Sequence, residues 1–230
     1  MESIAERIET IRLSLPESVR LIAVSKQVPV DGIRAAYSAG IRDFGENRVR
    51  EAAEKQEQLQ DLTDITWHLI GHLQSNKAAK ALQQFQWIQS VDSLKLAQRL
   101  DRLAEELSCR PLVCLQVKIL PDPDKFGWSI SELMTDLAEL DKFQYLSIRG
   151  LMTILPQGLE DSQTLEGFHG LRQLAEEIDG HNLSNIKMEQ LSMGMSADYD
   201  LAISAGATMI RLGRILFGER RIERENAVKQ

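Results

Sequence analysis

The chain has 230 residues, of which 43% are hydrophobic, so it can bury one sizeable core. A net charge of −7 argues against nucleic acid as the main partner, and no apolar run is long enough to cross a membrane. The opening ten residues are polar and amphipathic, unlike a secretory signal, and the two cysteines, Cys109 and Cys114, lack metal-ligand spacing. Both therefore read as reduced thiols of a cytosolic protein.

Ile4, Ile8 and Ile11 follow helical spacing, so the chain begins with an amphipathic helix that closes near Pro16. The first strand runs over 19–25, and its apolar stretch Leu21-Ile-Ala-Val-Ser-Lys26 ends on a lysine. Pro29 and Asp31 start a helix with Ile33, Ala36 and Tyr37 inward, and Gly40 ends it. A strand over 41–45 precedes a charged helix over 46–59. A third strand, 65–71, leads to a helix from Ser75 to about Gln83, and a fourth strand spans 86–91. Asp92 or Ser93 caps a long helix whose apolar face is Leu96, Leu100, Leu103 and Leu107.

The fifth strand, 111–119, holds Cys114 and runs into a proline-rich loop over 120–128. A helix with Leu133, Leu137 and Leu140 follows, then a strand over 145–152. Leu165, Phe168, Leu171 and Ile178 mark the next helix. Strand seven spans 187–192, a short helix 197–204 and strand eight 208–212, before a glycine turn and a charged tail.

Strands alternating with helices imply a parallel sheet covered by helices. Eight such units in this length favour one closed (β/α)8 barrel with an extra N-terminal helix, with a doubly wound open sheet as the alternative. No linker or repeat divides the chain, so 1–230 reads as one domain. In a barrel, residues at strand C-termini share one mouth. Lys26, Asn47, His68, the 71–77 turn, Ser192 to Ser196 and Arg211 to Arg214 collect there. Taken alone, Lys26 reads more readily as a solvated lysine at a loop entrance. The loops after strands seven and eight, however, are where barrels bind phosphate, and glycines there let backbone approach a ligand. A lysine facing a phosphate site suits an aldehyde-bearing phosphate ester, with pyridoxal 5′-phosphate (PLP) the obvious candidate. Proteins holding it set an aspartate or arginine at the pyridine nitrogen, and Arg211 can be that arginine.

Ala23-Val-Ser-Lys26, Phe44-Gly-Glu-Asn-Arg-Val-Arg-Glu51, Trp67-His-Leu-Ile-Gly-His-Leu-Gln-Ser-Asn-Lys77, Gln89-Ser-Val-Asp-Ser93, Gly150-Leu-Met152, Leu191-Ser-Met-Gly-Met-Ser-Ala-Asp-Tyr199 and Ile210-Arg-Leu-Gly-Arg-Ile-Leu-Phe-Gly218 occur in that order. Together they resemble the pyridoxal phosphate homeostasis protein family, also called proline synthetase co-transcribed proteins. The resemblance implies a fold-type III barrel similar to the N-terminal domain of alanine racemases. It implies PLP as cofactor, Lys26 as the Schiff-base lysine and Arg211 as the pyridine-nitrogen partner. Ser196 and the backbones of Gly213 and Arg214 look like phosphate ligands, and Asn47 like a neighbour of the ring. Family members often carry a small hydroxyl residue where this chain has Arg214. A backbone contact survives that change, but a hydroxyl bond does not.

Other candidates are weaker. His68 and His72 lie on a strand and its turn with no third metal ligand evident. Met193 and Met195 suit a core or a pocket wall. Glu105 and Glu106 form an exposed helix face, and Asp122 and Asp124 sit on a loop without a facing carboxylate. The expected function is a cytoplasmic, monomeric PLP carrier that serves PLP homeostasis and hands the cofactor to apo-enzymes. No residue is given a catalytic role, and no metal, nucleic acid or membrane is expected. A PLP-dependent amino-acid racemase is the alternative, and a cofactor-free class I aldolase using Lys26 a third reading.

Overall fold

The computed structural model describes residues 2–218, and the charged tail lies outside them. The chain opens with α1 (Ile4–Ser14) and continues as β1 (Arg20–Val24), α2 (Val30–Ser38), β2 (Asp43–Glu46), α3 (Val49–Gln58) and β3 (Thr66–Leu69). Next come α4 (Ala78–Gln84), β4 (Trp87–Val91), α5 (Leu94–Glu106), β5 (Leu112–Gln116), α6 (Ile130–Leu140) and β6 (Ser147–Met152). α7 (Asp161–Gly180), β7 (Ile186–Ser192), α8 (Tyr199–Ser204), β8 (Met209–Leu212) and the one-turn α9 (Arg214–Phe217) complete it. The strands pair in chain order, all parallel, and β8 returns to β1. That last pairing sets Arg20–Ala23 against Met209–Leu212 and closes the barrel, which excludes the doubly wound open sheet.

Local chemistry starts several helices, at Ser93 where the sequence pointed. Ser3 and Glu6 form a capping box on α1, Ser93 caps α5, and Ser129 and Glu132 box α6. Several boundaries shift for tertiary reasons. Glu46, expected to open a helix, ends β2, and α3 begins at Val49. Its carboxylate is fully buried against Lys55, so the charge marks an ion pair beneath the helix and not a helix surface. Leu107, expected on the buried face of α5, is its C-cap and is exposed, because the chain there turns into Ser108 at φ 52°. Tyr145 precedes β6, its N–H donating to Asp101. A single 3-10 turn, Ser75–Lys77, leads into α4. α8 starts at Tyr199, not Ala197, since residues 195–198 are tied in a turn by Asp198.

Two apolar clusters result. The larger fills the space between sheet and helices and includes Phe44, Leu69, Ile88, Leu100, Leu133 and Phe168. The smaller fills the barrel, from Ile22, Trp87, Cys114, Met152 and Met209. Cys109 and Cys114 are free thiols. Burial pushes the Cys114 thiol up to about 12, so it stays protonated and inert. Among the described residues no helix is long and apolar enough to cross a membrane.

At Gly150 the strands β6 and β7 approach so closely that a Cβ would lie 1.8 Å from the Gln190 carbonyl oxygen. Backbone cannot yield there as a side chain would. Gly150→Ala should therefore destabilise the barrel by at least about 2 kcal/mol, measured by urea unfolding. Wild-type stability in that variant would show that the seam opens freely.

Candidate functional site

Lys26 follows β1, two residues beyond Val24 and four beyond the interior-facing Ile22, and it is half-buried at the C-terminal mouth. The turn that carries it is held from both sides. The Ser25 N–H donates to the Gly45 carbonyl at 3.0 Å, and its hydroxyl donates to Glu46 Oε1 at 2.6 Å. The Ser25 carbonyl accepts from Lys55 Nζ at 2.7 Å. Gln27 takes the left-handed region at φ 60°, which a non-glycine residue adopts at a cost unless it is held, and its N–H donates to Glu51 Oε1. Lys55 also donates to Glu46 Oε1 at 2.8 Å and Glu51 Oε1 at 2.7 Å, so its ammonium has three acceptors for three protons. The second Glu46 oxygen is buried with no partner among the described residues, and burial raises that carboxyl's pKa. Removing one member of such a cluster strands a buried charge, which typically costs about 3–5 kcal/mol.

Arg211 lies on β8 and is 3% exposed. Burial draws its pKa down to about 10, which still leaves it charged at neutral pH. Nη1 donates to the Ser192 hydroxyl at 2.7 Å and Nη2 to the Thr153 carbonyl at 2.8 Å. These are two of the five N–H groups of a guanidinium, and no carboxylate forms an ion pair with it among the described residues. From Ser192 a chain of polar groups crosses the interior. The Ser192 hydroxyl donates to Gln89 Oε1 at 2.6 Å, and Gln89 Nε2 lies 2.9 Å from His68 Nδ1. His68 Nε2 meets Asp43 Oδ1 at 2.8 Å. Burial lowers the pKa of His68 and keeps the imidazole neutral.

The remaining candidates gather at the same barrel end. Asn47 follows β2 and is half-buried; a Cβ on Gly71 would come 2.4 Å from its carbonyl oxygen, so glycine lets the two loops touch. Ser196 is half-buried in the turn after β7, where Gly194 sits at φ 90° and its carbonyl accepts from the Arg211 N–H at 3.0 Å. Gly213 and Arg214 open α9, whose first turn has N–H groups without intrahelical partners. The Arg214 side chain is exposed.

Other features of the sequence go elsewhere. The two ring nitrogens of His68 face Gln89 and Asp43, whereas His72 stacks on Phe126 with ring centroids 3.6 Å apart and bonds Asp92 through Nδ1. No group of three or more metal-ligating side chains converges among the described residues. The Tyr37 hydroxyl donates to Asp64 and that of Tyr145 to Glu105, both on the exposed outer side. Lys77, Lys80, Glu105 and Glu106 are exposed. Sequence reasoning missed the Glu46–Glu51–Lys55 clamp and the part played by Gln89. The i,i+4 spacing of Glu51 and Lys55 was a signal for the first; nothing in the spacing reveals the second.

Comparison with known proteins agrees with this architecture. The family model "Alanine racemase, N-terminal domain" matches residues 1–221. A pyridoxal phosphate homeostasis protein of Synechocystis is 53% identical over 207 residues, covering 90% of this chain and 94% of its own. The Escherichia coli K12 protein of the same name is 39% identical over 209 residues, covering 89% and 87%. PipY of Synechococcus elongatus, solved with PLP bound, superposes with a TM-score of 0.90 at 52% identity over 94% of this chain and 100% of its own. Alanine racemase of Clostridium difficile shares the fold at a TM-score of 0.80 and 16% identity, with 94% of this chain matched to 56% of that one. With its closed barrel, its ordered mouth and these relatives along nearly its whole described length, the chain belongs to the pyridoxal phosphate homeostasis protein family.

Proposed function

We propose that this protein binds PLP at the C-terminal mouth of its barrel, as a Schiff base on Lys26, and serves intracellular PLP homeostasis. The observation that carries this reading is the β1–β8 seam. It sets β1, which ends two residues before Lys26, beside β8 with its buried, charged Arg211, three of whose donors meet no partner among the described residues. The residues at the mouth fit the chemistry of the cofactor. A carbonyl carbon calls for an amine, a pyridine nitrogen for a buried donor, and a phosphate for hydroxyl and backbone N–H groups. Lys26, Arg211, and Ser196 with the backbones of Gly213 and Arg214 supply them in that order, with Asn47 beside the ring. When bound, PLP supplies an aldehyde that condenses with an amine.

The same residues argue for holding the cofactor over turning it over. Arg211 keeps its proton at neutral pH and donates a hydrogen bond, so the ring nitrogen stays unprotonated and the ring is a weak electron sink. Racemisation needs a second acid or base on the opposite face of the ring. The Tyr37 and Tyr145 hydroxyls are committed to Asp64 and Glu105 on the outside of the barrel. We extend the proposal to a cytoplasmic monomer, residues 1–230 forming one PLP-binding domain, which passes PLP to apo-enzymes.

Lys26→Ala should lose the visible absorption of the PLP-loaded protein and the adduct trapped by borohydride. Trapping on another lysine, with Lys26 unmodified, would refute the assignment. Ser196→Ala removes a donor to a charged acceptor, worth about 1.5–3 kcal/mol, and should weaken PLP about 10–100-fold. Pyridoxal without its phosphate should be little affected, and equal loss for both ligands would place the phosphate elsewhere. Loaded protein incubated with L- or D-amino acids should show no turnover near ordinary enzyme rates of roughly 1–1,000 per second. Lys26-dependent turnover at such rates, followed by chirality over hours, would make the racemase reading the better one.

A further inference from the structure

The polar chain behind Arg211 has one consistent direction. Arginine only donates, so the Ser192 oxygen accepts from Nη1 and its own proton goes to Gln89 Oε1, 2.6 Å away. The Gln89 amide is thereby oriented, its Nε2 towards His68 Nδ1 at 2.9 Å and the Met209 sulfur at 3.5 Å. His68 Nδ1 must then accept, which puts the ring proton on Nε2, where Asp43 Oδ1 receives it at 2.8 Å. His68 is further held by stacking on Trp87, the rings 9° from parallel. Asp43 lines a cavity of about 410 Å³ at the opposite end of the barrel, with Arg20 3.7 Å from its carboxylate. The chain thus spans the interior from the mouth to the far end, through side chains of β8, β7, β4, β3 and β2.

We propose that Gln89, anchored by His68 and Asp43, is a positioning residue that fixes the guanidinium of Arg211 for the cofactor ring. This rests on the reading that Arg211 meets the pyridine nitrogen. Gln89 sits on β4 and Ser192 on β7, strands that are not neighbours in the barrel, so the amide braces Arg211 from the opposite wall. Without it the Ser192 hydroxyl is free to rotate, and one of the two fixed acceptors of Arg211 loses its orientation. A network that served only barrel stability would leave the recognition of the ring nitrogen unchanged.

The test compares PLP with its 1-deaza analogue, in which the ring nitrogen is a C–H group. Titration of the full-length apo-protein gives the ratio of the two affinities. Wild type should favour PLP, and Arg211→Leu should abolish the preference. Gln89→Met, close in size and shape, should lower the ratio about tenfold, the worth of one hydrogen bond to a charged group. Retention of the wild-type ratio in Gln89→Met, with loss in Arg211→Leu, would overturn the positioning role and leave the Arg211 reading intact. Equal binding of both ligands by wild type would overturn the Arg211 reading and this proposal with it. If Gln89→Met does not fold, Ser192→Ala breaks the next link, and an unchanged ratio there overturns the proposal equally.

Discussion

The closure of the sheet, β8 returning to β1 with Ile22 opposite Arg211, is the constraint on which the rest of the structure depends. A parallel barrel leaves no strand edge unpaired, so each strand is fixed in register on both sides. Strand period then decides which side chains meet inside. Without the seam, the first and last strands would stand at opposite edges of an open sheet, and Lys26 and Arg211 with them.

The fold buries a cation on each side of the sheet, and it satisfies the two in different ways. Outside the sheet, Lys55 is surrounded by two carboxylates and a carbonyl, which satisfies its charge and its protons together. Inside it, Arg211 meets a hydroxyl and a carbonyl but no ion-pairing carboxylate among the described residues. The first arrangement is closed and holds the turn around Lys26 in place. The second orients the guanidinium through two donors, and the other three meet no partner among the described residues. Neutral partners fit the proposed role, since a carboxylate at Arg211 would compete with the ring nitrogen for its donors.

As proposed above, a barrel related to that of alanine racemases holds a reactive aldehyde without turning it over. In the reading argued above, the mouth supplies an amine, a ring-nitrogen donor and phosphate ligands from a rigid scaffold. Two of the three tyrosines, Tyr37 and Tyr145, are bonded on the outer surface, away from that mouth. Phe126, stacked on His72, brings the loop after β5 against the turn after β3 at this end, so one flank of the mouth is covered by side chains of two separate units.

The sequence by itself determined the alternation of strands and helices, the cap of α5 and most of the apolar faces, because these depend on local spacing and side-chain type. It also located Lys26, Asn47, Ser196, Arg211, Gly213 and Arg214 at the ends of strands, hence at one mouth once a barrel was assumed. Tertiary structure decided what no local pattern encodes. Glu46 looked like a helix residue until Lys55, nine positions later, proved to neutralise it beneath the helix. Leu107 looked buried until the chain turned away from the core. His68 had a metal among its possible roles until Gln89 and Asp43, from strands on either side, took up both its ring nitrogens. For the two polar residues the physical reason is the same. Burial and hydrogen-bond partnership are set by which strands the closed barrel brings together, and residues far apart in the chain carry no mark of that meeting.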